Sequence, residues 1–411
     1  MNHIEESTTD SAYRSVRALK EWLKLTRRKI NEEQKHIPGS IILPHSKWEK
    51  YTCYYFIETL NFPELQNEVR DHLIDMTAAN TAIPKDIIRS CFNSARVESL
   101  KMYDLGTPKL EIVPHSIPVR RRSEPKRSSR TLLIPNETLK ELSSPVPTLQ
   151  LSDIDADKAQ MTKLKIGHLH FEVPTRIFER LTIKAEQATT NNAERDDLII
   201  RLFLRYNPLG PGTGFFWSMD NRVYKFLEEN NGGRSVIEGF ASPFNHNLDN
   251  FCSAFNEDMK FGSRGSFFDY ISALDIPVKM IANPPYTLNV LNKAADVCID
   301  YIERVPGSEC IMMYPDWRDS EGIKKLMNHP KCQYKIFKNQ EYTVHDYSQD
   351  KVIMTPMSLI FFIISSGTPS VSIDDMAEKI GESYNETVAG KSPRWLDRSV
   401  GSPIPSPGRN L

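Results

Sequence analysis

Three features are scarce in this chain of 411 residues: paired cysteines, long apolar runs and net charge. The six cysteines are scattered and form no CxxC pair, the spacing that zinc sites and redox-active disulfides use. We therefore expect a reducing compartment, buried free thiols and no bound metal. No run is long and apolar enough to span a bilayer, and the polar first residues lack the apolar segment of a secretory signal. These absences favour a soluble protein of the nucleus or cytoplasm, with no membrane partner.

The net charge is close to zero because 52 basic residues balance 53 acidic ones. Any affinity for nucleic acid must then come from local patches rather than from the overall field. One patch lies in a stretch rich in proline and serine, where the run RRRS at 120–123 is followed by Lys126, Arg127 and Arg130. This composition is typical of a solvated tether. RNA phosphate contact, nuclear import and phosphorylation at Ser123 are the alternatives, and the sequence does not rank them.

Changes in composition and periodicity divide the chain into five segments. We expect a disordered N-terminus at 1–10, a helical domain at 11–102, a basic Pro/Ser-rich linker at 103–164, an α/β core at 165–366 and a disordered tail at 367–411. The helical domain is indicated by apolar residues that recur at helical spacing. The core alternates strand and helix signals, which is typical of a parallel α/β sheet.

Short apolar runs predict the strands of that core. They lie at 198–204, 236–241, 278–282, 310–314, 332–337 and 357–364, with helices predicted over 221–229 and from near 288 to 304. Residues 341–347 are predicted to form a polar and aromatic loop. The last strand is predicted to be buried in the core.

The most informative motif is Asn283-Pro284-Pro285-Tyr286, which follows one predicted strand and precedes a helix. The Asn283 side-chain oxygen and the Pro284 carbonyl can accept hydrogen bonds from an amine conjugated to an aromatic ring, which returns its lone pair to nitrogen. The prolines fix the backbone, and the ring of Tyr286 can stack on a flipped base. Taken alone, the turn admits adenine, cytosine or glutamine as methyl acceptor, or a plain Pro-Pro turn that closes a strand.

Candidate cofactor-binding residues follow the first two predicted strands. Gly212 and Gly214 lie in a glycine-rich loop that lets the backbone approach a ligand, although tight turns use the same residues. Glu238 is placed where an acid holds ribose hydroxyls, and Asp269 follows two phenylalanines that can stack on adenine; either acid fits an ordinary surface carboxylate as well. The segment after Glu238 can line the same pocket, and its candidate residues are Phe240, Ala241, Ser242, Pro243 and Asn245.

The methyl donor is inferred from the whole set of features. A nucleoside-binding sheet, an amine-activating turn and no metal or nucleophile motif favour S-adenosylmethionine as the cofactor. The protein then has to position two substrates rather than supply a reactive group. Neither a general base nor a catalytic triad is required before transfer, because the amine becomes acidic only after methylation.

Candidate substrate-binding residues lie further along the chain. Trp317 follows a strand at the edge where open α/β sheets bind ligands, so it can stack on a base or on a positively charged methylated guanine. A tryptophan at a strand end is also a common core residue. Glu341 and Tyr342 belong to the polar and aromatic loop, which either recognises substrate or is simply solvated.

Several short motifs follow one another along the second half of the chain. They are GPGTG at 210–214, GFASPFN at 239–245, CSAF at 252–255, FGSRG at 261–265, ANPPY at 282–286, PDWR at 315–318 and EY at 341–342. In order and approximate spacing they resemble the motifs of the phosphorylated-CTD-interacting-factor family, the cap-specific adenosine N6-methyltransferases. The resemblance covers roughly residues 200–365.

This resemblance implies a Rossmann-like class I methyltransferase core with an N-terminal α-helical domain. It implies S-adenosylmethionine-dependent N6-methylation of the first transcribed adenosine of m7G-capped mRNA, preferably already 2′-O-methylated, which gives N6,2′-O-dimethyladenosine. By motif, residues 283–286 are the catalytic turn and residues 240–245 belong to the cofactor side. Arg264 contacts cofactor or RNA, or else forms a structural ion pair.

Two departures from the family pattern affect these expectations. Animal members carry an N-terminal WW domain, a short three-stranded sheet with two tryptophans. Here Trp22 lies in a helical pattern and Trp48 follows a loop, so we expect no WW domain and find no support for recruitment to RNA polymerase II. In addition, Tyr286 replaces a phenylalanine of the animal members, and its hydroxyl calls for a hydrogen-bond partner.

Other functions use the same chemistry. The turn also methylates glutamine in release factors, although the FASP and FGSRG motifs argue against that substrate. An N6-adenine methyltransferase of DNA or internal RNA shares the turn, and a cap-binding module with a decayed cofactor pocket is the non-enzymatic alternative. Capped mRNA is the partner that the resemblance implies.

Overall fold

A computed structural model of the chain describes residues 9–40, 48, 52–53, 66–99, 110–113, 160–167, 169–209, 215–338, 341–355 and 357–389. The predictions for Gly212, Gly214 and the basic cluster at 120–130 lie outside these residues. None of the described helices is long and apolar enough to cross a membrane.

The N-terminal part is helical where the structure describes it. Helices α2 (Gln66–Thr81) and α3 (Lys85–Ser99) lie within the predicted helical segment, whereas α1 (Thr9–Gln34) begins two residues before it, in the segment predicted to be disordered; α1 packs on α3. Trp22 Nε1 donates to the carbonyl of Phe92 at 2.9 Å, and the rings of Trp22 and Trp48 both contact Phe92 with centroids 5.8 Å apart. Both tryptophans therefore belong to the core of the helical part.

Two short strands occupy the ends of the predicted linker. Strands β1 (Leu110–Val113), β2 (Met161–Ile166) and β3 (Leu169–Pro174) form an antiparallel sheet in that order. Leu164 and Ile166 are fully buried in the main hydrophobic core. The Pro/Ser-rich composition between β1 and β2 hid these strands, because it dominates the average over the whole segment.

The first predicted strand, at 198–204, is wrong. Helix α4 (Thr175–Ala188) is followed by α5 (Asn192–Tyr206), which contains all of 198–204. The side chain of Asn191 accepts from the Glu194 N–H at 3.0 Å and caps α5. Most of α5 from Leu198 onward is buried, and a helix buried on nearly all sides has the same uninterrupted apolar run as a buried strand.

The remaining elements include the other predicted strands and helices, to within a few residues, together with elements that the sequence did not predict. Those that precede the Asn-Pro-Pro-Tyr turn are β4 (Trp217–Met219), α6 (Asn221–Glu229), β5 (Ser235–Ala241), β6 (Phe251–Ser253), α7 (Phe267–Ala273) and β7 (Val278–Ala282). Those that follow it are α8 (Leu288–Arg304), β8 (Glu309–Pro315), α9 (Glu321–Asn328), β9 (Cys332–Phe337), β10 (Thr343–Asp346), β11 (Lys351–Met354), β12 (Leu359–Ser365) and α10 (Ile373–Ala389).

The central sheet has six strands in the order β6-β5-β7-β8-β12-β9. Strands β6, β5, β7 and β8 pair in parallel, whereas β12 pairs antiparallel with both β8 and β9. The fold is therefore mixed α/β with a mostly parallel sheet, which is compatible with a Rossmann-like architecture. Glu238 lies on β5, which comes first along the chain among the parallel strands rather than second.

The central strands of the sheet are buried on both faces, whereas the edge strand β9 is partly exposed. Along β8 and β12 the side chains alternate between two cores, with Tyr314 and Phe362 in one and Met313 and Phe361 in the other. Helix α8 packs in the first core, and α6 and α10 supply residues to the second. This explains why the central strands have continuous apolar sequences rather than alternating ones.

Residues 341–347 do not form the predicted loop throughout. Within them β10 pairs antiparallel with β4 on one side and with β11 on the other, in a second small sheet. Its Thr343 and Val344 are almost fully buried. The polar residues Asp346 and His345 gave this strand the composition of a loop.

Part of the tail that was predicted to be disordered is helical. In α10, Met376 and Ile380 are buried, and the helix packs against α6 and β9. These two residues lie four positions apart and so share one face of the helix. The Ser-Pro and glycine composition that suggested disorder belongs to residues after 389, outside the described part.

An ionic cluster lies at the amino ends of β7 and β8. Lys279 and Glu309 are both fully buried, and their Nζ and Oε1 atoms are 3.4 Å apart. Arg234 Nη1 lies 3.6 Å from Glu309 Oε2, and the Ser370 N–H donates to Oε2 at 2.7 Å. Burial lowers the pKa of Lys279, and the Glu309 carboxylate opposes that shift. Each charge therefore has a partner of opposite sign.

Candidate active site

The carboxyl ends of β5, β7 and β8 meet at one edge of the central sheet because these parallel strands are neighbours. The chain leaves them at Ser242, Asn283 and Asp316. Open parallel sheets bind ligands at this edge. The structure therefore brings the predicted turn 283–286, the segment 240–245 and Trp317 to the same edge.

The amide of Asn283 is held at both of its polar atoms. Its Nδ2 donates to the carbonyl of Trp217 at 3.4 Å, and its Oδ1 accepts from the hydroxyl of Tyr286 at 3.2 Å. These two contacts fix which end of the amide faces β4. An amide oxygen has two lone pairs, so Oδ1 can still accept one hydrogen bond from a ligand. Tyr286 is the partly buried aromatic residue of the motif, and burial raises the pKa of its hydroxyl.

The two prolines lead the chain from β7 into α8. Pro284 is buried, and the carbonyl of Pro285 accepts from the Thr287 N–H at 2.8 Å. The Thr287 carbonyl accepts from the Leu291 N–H at 2.9 Å, but the Thr287 side chain makes no capping hydrogen bond. The backbone of the turn is therefore fixed by proline geometry on one side and by the first turn of α8 on the other.

Buried polar atoms next to this turn lack partners. Among the described residues, Thr287 Oγ1, Trp217 Nε1 and Tyr342 Oη are inaccessible to solvent and make no hydrogen bond. Burial raises the pKa of Tyr342, and the neighbouring Tyr286 and Asp220 add to that shift. Leaving such a group unpaired costs about 1–3 kcal/mol, so each one calls for an explanation such as a ligand or a water.

The loop that follows β5 is a compact turn built on Ser242. The Ser242 carbonyl accepts from the N–H groups of Asn245 and His246, at 3.2 and 3.1 Å. The Ser242 hydroxyl donates to Asn245 Oδ1 at 2.6 Å and accepts from the Phe244 N–H at 3.2 Å. Ser242, Pro243 and Asn245, three of the predicted cofactor residues, are buried within this turn. The loop is therefore held together by hydrogen bonds to its own first residue.

Glu238 supports the same loop from inside the sheet. It is almost fully buried, and its Oε2 accepts from the N–H groups of Asn247 and Leu248 at 2.7 and 3.1 Å. Burial raises the pKa of Glu238, and these hydrogen bonds oppose the shift. The carboxylate is thus turned toward the protein backbone, and a contact of Glu238 with ribose stays a prediction.

Three aromatic rings pack beside the end of β5. The centroid of Phe240 lies 4.3 Å from that of Phe267 and 5.6 Å from that of Phe268. A Cβ at Gly239 would lie 2.7 Å from the Phe267 ring, so glycine is required for this contact. Strand β5 therefore ends, at the predicted residues Phe240 and Ala241, beside the packed rings of Phe267 and Phe268.

Asp269 lies in the first turn of α7, and its side chain is exposed. The neighbouring Phe268 is buried, with Lys293 Nζ 4.4 Å from its ring centroid. None of these contacts bears on the predicted contact of Asp269 with adenine, which stays a prediction.

Arg264 lies in the segment after β6 and pairs with the first residue of that strand, rather than following β5 or β7 directly. Its backbone N–H donates to the carbonyl of Phe251 at 2.7 Å, and its exposed side chain donates through Nη2 to Asn250 Oδ1 at 2.7 Å. The flanking Gly262 and Gly265 both have positive φ, 97° and 85°, which fixes the glycine positions of the FGSRG motif. The partner of the Arg264 side chain is an amide, not the carboxylate of a structural ion pair.

Trp317 is half-buried at the end of β8 and packs against the main core. Next to it, Arg318 Nε donates to Asp316 Oδ1 at 2.8 Å. Part of the Trp317 side chain thus contacts the core and part is exposed. The residue can therefore pack in the core and still stack on a base.

The structure separates the two predicted residues Glu341 and Tyr342. Glu341 is exposed and accepts from the Lys338 N–H at 2.8 Å. Tyr342 is 1% exposed, and its ring packs against Phe337 and Phe361. The Tyr342 ring is therefore not available for stacking on a substrate base at the surface, and only its hydroxyl lacks a partner among the described residues.

Several residues of the site were not anticipated from the sequence. Trp217 and Thr287 carry unpartnered polar atoms, and Arg180 contacts the loop after β5 from α4. The run Phe215-Phe216-Trp217 after the glycine-rich segment was a usable signal for Trp217. A single arginine in an amphipathic helix gives no such signal.

No group of three or more His, Cys, Asp or Glu residues in the described part of the chain is arranged to hold a metal ion. The described cysteines are free thiols, and five of the six are buried.

A family model described as the phosphorylated CTD interacting factor 1 WW domain matches residues 176–349. This match supports the phosphorylated-CTD-interacting-factor family for this part of the chain. In the structure, the matched residues include most of α4, all of α5 and the parallel strands of the central sheet. The match therefore covers the part of the α/β region that contains the candidate site.

Proposed function

We propose that this chain is an S-adenosylmethionine-dependent methyltransferase that methylates N6 of the cap-adjacent adenosine in m7G-capped mRNA. The preferred acceptor is 2′-O-methyladenosine, and the product is N6,2′-O-dimethyladenosine. The observation that carries the proposal is the Asn283 amide, held at the end of β7 beside the loop that follows β5. The family match over residues 176–349 supports the cap-associated substrate.

The residues present fit a nucleoside methyl donor at this edge. The loop at 242–248 is pre-shaped by Ser242 and Glu238, and the aromatic residues Phe240 and Phe268 lie beside it. When bound, S-adenosylmethionine supplies an electrophilic methyl group on a sulfonium. We assign the loop and Phe240 to the cofactor side and the turn 283–286 to the acceptor side.

The turn can activate an aromatic amine through hydrogen bonds alone. The two N–H groups of the amine donate hydrogen bonds to Asn283 Oδ1 and to the Pro284 carbonyl. These hydrogen bonds return lone-pair density to the nitrogen as the new bond between nitrogen and the methyl carbon forms. Tyr286 stacks on the base and excludes water from it. Transfer would convert the donor into S-adenosylhomocysteine, and the extra proton of the methylated amine is lost to solvent once the product leaves the site, so no buried base is required.

Nucleoside mass spectrometry after incubation with S-adenosylmethionine tests the proposal directly. Four RNAs of one sequence are compared: capped with 2′-O-methyladenosine first, capped with adenosine, capped with guanosine, and uncapped with adenosine. We expect most product from the first, less from the second and none from the others. Equal labelling of uncapped RNA, or of single-stranded DNA, would reject cap specificity in favour of a general N6-adenine methyltransferase.

Calorimetry with S-adenosylhomocysteine tests the enzyme assignment itself. We expect S-adenosylhomocysteine to bind. If it does not bind, a cap-binding module without methyltransferase activity describes this chain better. Asn283→Ala is the matched variant for both assays, because it removes the amine acceptor and leaves the loop after β5 intact. Product formation at the wild-type rate by this variant would contradict the assigned role of Asn283.

A further inference from the structure

Arg180 lies against the loop that follows β5. It projects from α4, and its guanidinium is part-buried. Its Nη2 donates to the carbonyls of Pro243 and Phe244 at 2.9 and 3.0 Å, and its Nη1 donates to the carbonyl of His246 at 3.2 Å. One side chain thus contacts three carbonyls of a single turn.

These contacts complement the hydrogen bonds within the turn. The N–H groups of Phe244, Asn245 and His246 point inward to Ser242, as described above. The carbonyls of the same turn point outward, where a buried carbonyl without a donor would cost about 1–3 kcal/mol. Arg180 supplies the donors, so the turn is satisfied on both sides.

The remaining part of the loop is fixed by a separate set of contacts. Glu238 holds the N–H groups of Asn247 and Leu248, and the hydroxyl of Tyr347 donates to Asn247 Oδ1. These contacts involve residues 247 and 248 and not the carbonyls at 243–246. Removing Arg180 is therefore expected to loosen the first half of the loop and to leave the second half anchored.

The planar shape of the guanidinium explains why arginine occupies this position. Its N–H groups diverge in a fixed fork and can reach three acceptors at once, whereas a lysine ammonium on a flexible stem can satisfy only part of the set. Burial lowers the pKa of Arg180 to about 10, which still leaves the group protonated at neutral pH. The charge strengthens each of the three hydrogen bonds.

We propose that Arg180 is a positioning residue for the methyl donor: it holds residues 243–246 in the shape that receives the cofactor, without being a catalytic residue itself. This inference rests on the proposed function, since it assumes that the loop after β5 is the cofactor side. It assigns a role in cofactor affinity to a residue that no sequence motif indicated.

The test uses the full chain and S-adenosylhomocysteine as the probe, with binding measured by calorimetry. For Arg180→Met we expect a dissociation constant raised at least tenfold, and for Arg180→Lys a smaller rise. The KM for S-adenosylmethionine should rise with it, while the KM for capped RNA stays within twofold of wild type. A merely structural role would not separate the two KM values.

Arg195→Met is the matched control. Arg195 is a more deeply buried arginine on the adjacent helix α5, and its ion pairs with Glu186 and Asp196 involve no residue of the loop. We expect this variant to lower the unfolding temperature and to leave the dissociation constant unchanged. If both variants weaken binding equally, the effect of Arg180 is general destabilisation and the proposal is wrong.

Amide hydrogen exchange gives a second readout that does not depend on the strongest variant folding well. In Arg180→Lys, the amides of Asn245 and His246 should exchange faster while those of α4 keep their protection. Unchanged exchange at these two amides, or Arg180→Lys and Arg180→Met affinities within twofold of wild type, would overturn the inference. If the wild-type chain binds no S-adenosylhomocysteine, the proposed function fails first, so the two failures are distinguishable.

Discussion

The two edges of the central sheet treat buried polar groups in opposite ways. At the amino edge, Lys279 and Arg234 both pair with Glu309, and Ser370 binds Lys279 and Glu309. At the carboxyl edge, Thr287, Trp217 and Tyr342 each have a buried polar atom without a partner within the described residues. A protein that needs only stability would satisfy both edges. The amino edge thus has the pairing that stability requires, whereas the carboxyl edge has unpaired groups that the ligand of the proposed function would satisfy.

The largest expected effect concerns the amino edge. Glu309→Ala leaves Lys279 buried without its carboxylate, and breaking a buried pair in this way costs about 3–5 kcal/mol. Chemical denaturation measures the loss in free energy of unfolding. The affinity for S-adenosylhomocysteine of the folded fraction should not change, because the substitution lies at the far edge of the sheet.

The exposed pair of Lys325 and Asp296, whose charged atoms lie 2.6 Å apart, is the control for that prediction. Lys325→Ala should cost no more than about 1 kcal/mol, since solvent screens an exposed pair. Equal losses for Glu309→Ala and Lys325→Ala would remove the contrast between the edges.

The next effect concerns the carboxyl edge and should appear in rate rather than stability. Asn283→Ala removes the acceptor for the amine, and loss of one such group typically lowers kcat by about 10²–10³-fold. Single-turnover kinetics with capped RNA measures the rate, and the unfolding temperature should stay near that of wild type. Asn292→Ala is the matched control, because Asn292 Oδ1 only accepts from Ser320 and Gly322 on the far side of α8. A lower rate in Asn292→Ala than in Asn283→Ala would contradict the assignment.

A smaller effect separates the ring of Tyr286 from its hydroxyl. Tyr286→Phe keeps the stacking surface and removes the donor to Asn283 Oδ1, which is worth about 0.5–1.5 kcal/mol, or a two- to tenfold lower kcat. Tyr286→Ala should lower the rate further, since base stacking is worth about 1–3 kcal/mol. Equal rates for wild type and Tyr286→Phe would mean that the hydroxyl does not orient the amide.

The smallest effect tests whether paired charges near the carboxyl edge behave like those of the amino edge. Burial alone would raise the pKa of Asp350, but hydrogen bonds from Arg176 and His345 outweigh it and hold the pKa well below its ordinary value. A lowered pKa in the folded state contributes stability above about pH 4 and loses it as the pH falls toward the folded-state value.

Asp350→Asn should therefore be less stable than wild type by about 1 kcal/mol at pH 7, with a difference that shrinks as the pH falls below about 4 toward the folded-state pKa. Denaturation curves across this range measure it. A difference that stays constant with pH would show that the carboxylate charge of Asp350 is not what stabilises the contact with Arg176.

Much of the fold could be predicted because the local pattern and the final environment agree. The strands around Met280 and Met312 are short apolar runs bounded by turn residues, and they lie at the centre of the sheet. The strand predicted over residues 198–204 was wrong for a physical reason. A helix that is buried on nearly all sides lacks the polar face by which a sequence pattern identifies a helix. The helix α10 was not predicted because the composition was averaged over the whole tail. That average combined the amphipathic residues of α10 with the Ser-Pro and glycine-rich residues after 389.

The candidate site was predictable where adjacent residues carry the chemistry and not where distant residues support it. Asn283 and Tyr286 share one turn, so their spacing is visible in the sequence. Arg180 acts on a loop more than sixty residues away. Glu238 was noticed by its position on a strand, but only the structure shows that its carboxylate binds the backbone of Asn247.

Strand β12 lies between β8 and β9 in the sheet, yet it follows both in the chain. During synthesis, β8 therefore leaves the ribosome with one buried edge unpaired, and β9 has no neighbour to join until Leu359–Ser365 arrives. An open apolar edge is a template for pairing with other chains. A nascent chain stalled before Leu359 is thus expected to need a chaperone, and completion of the sheet becomes one late event rather than a gradual one.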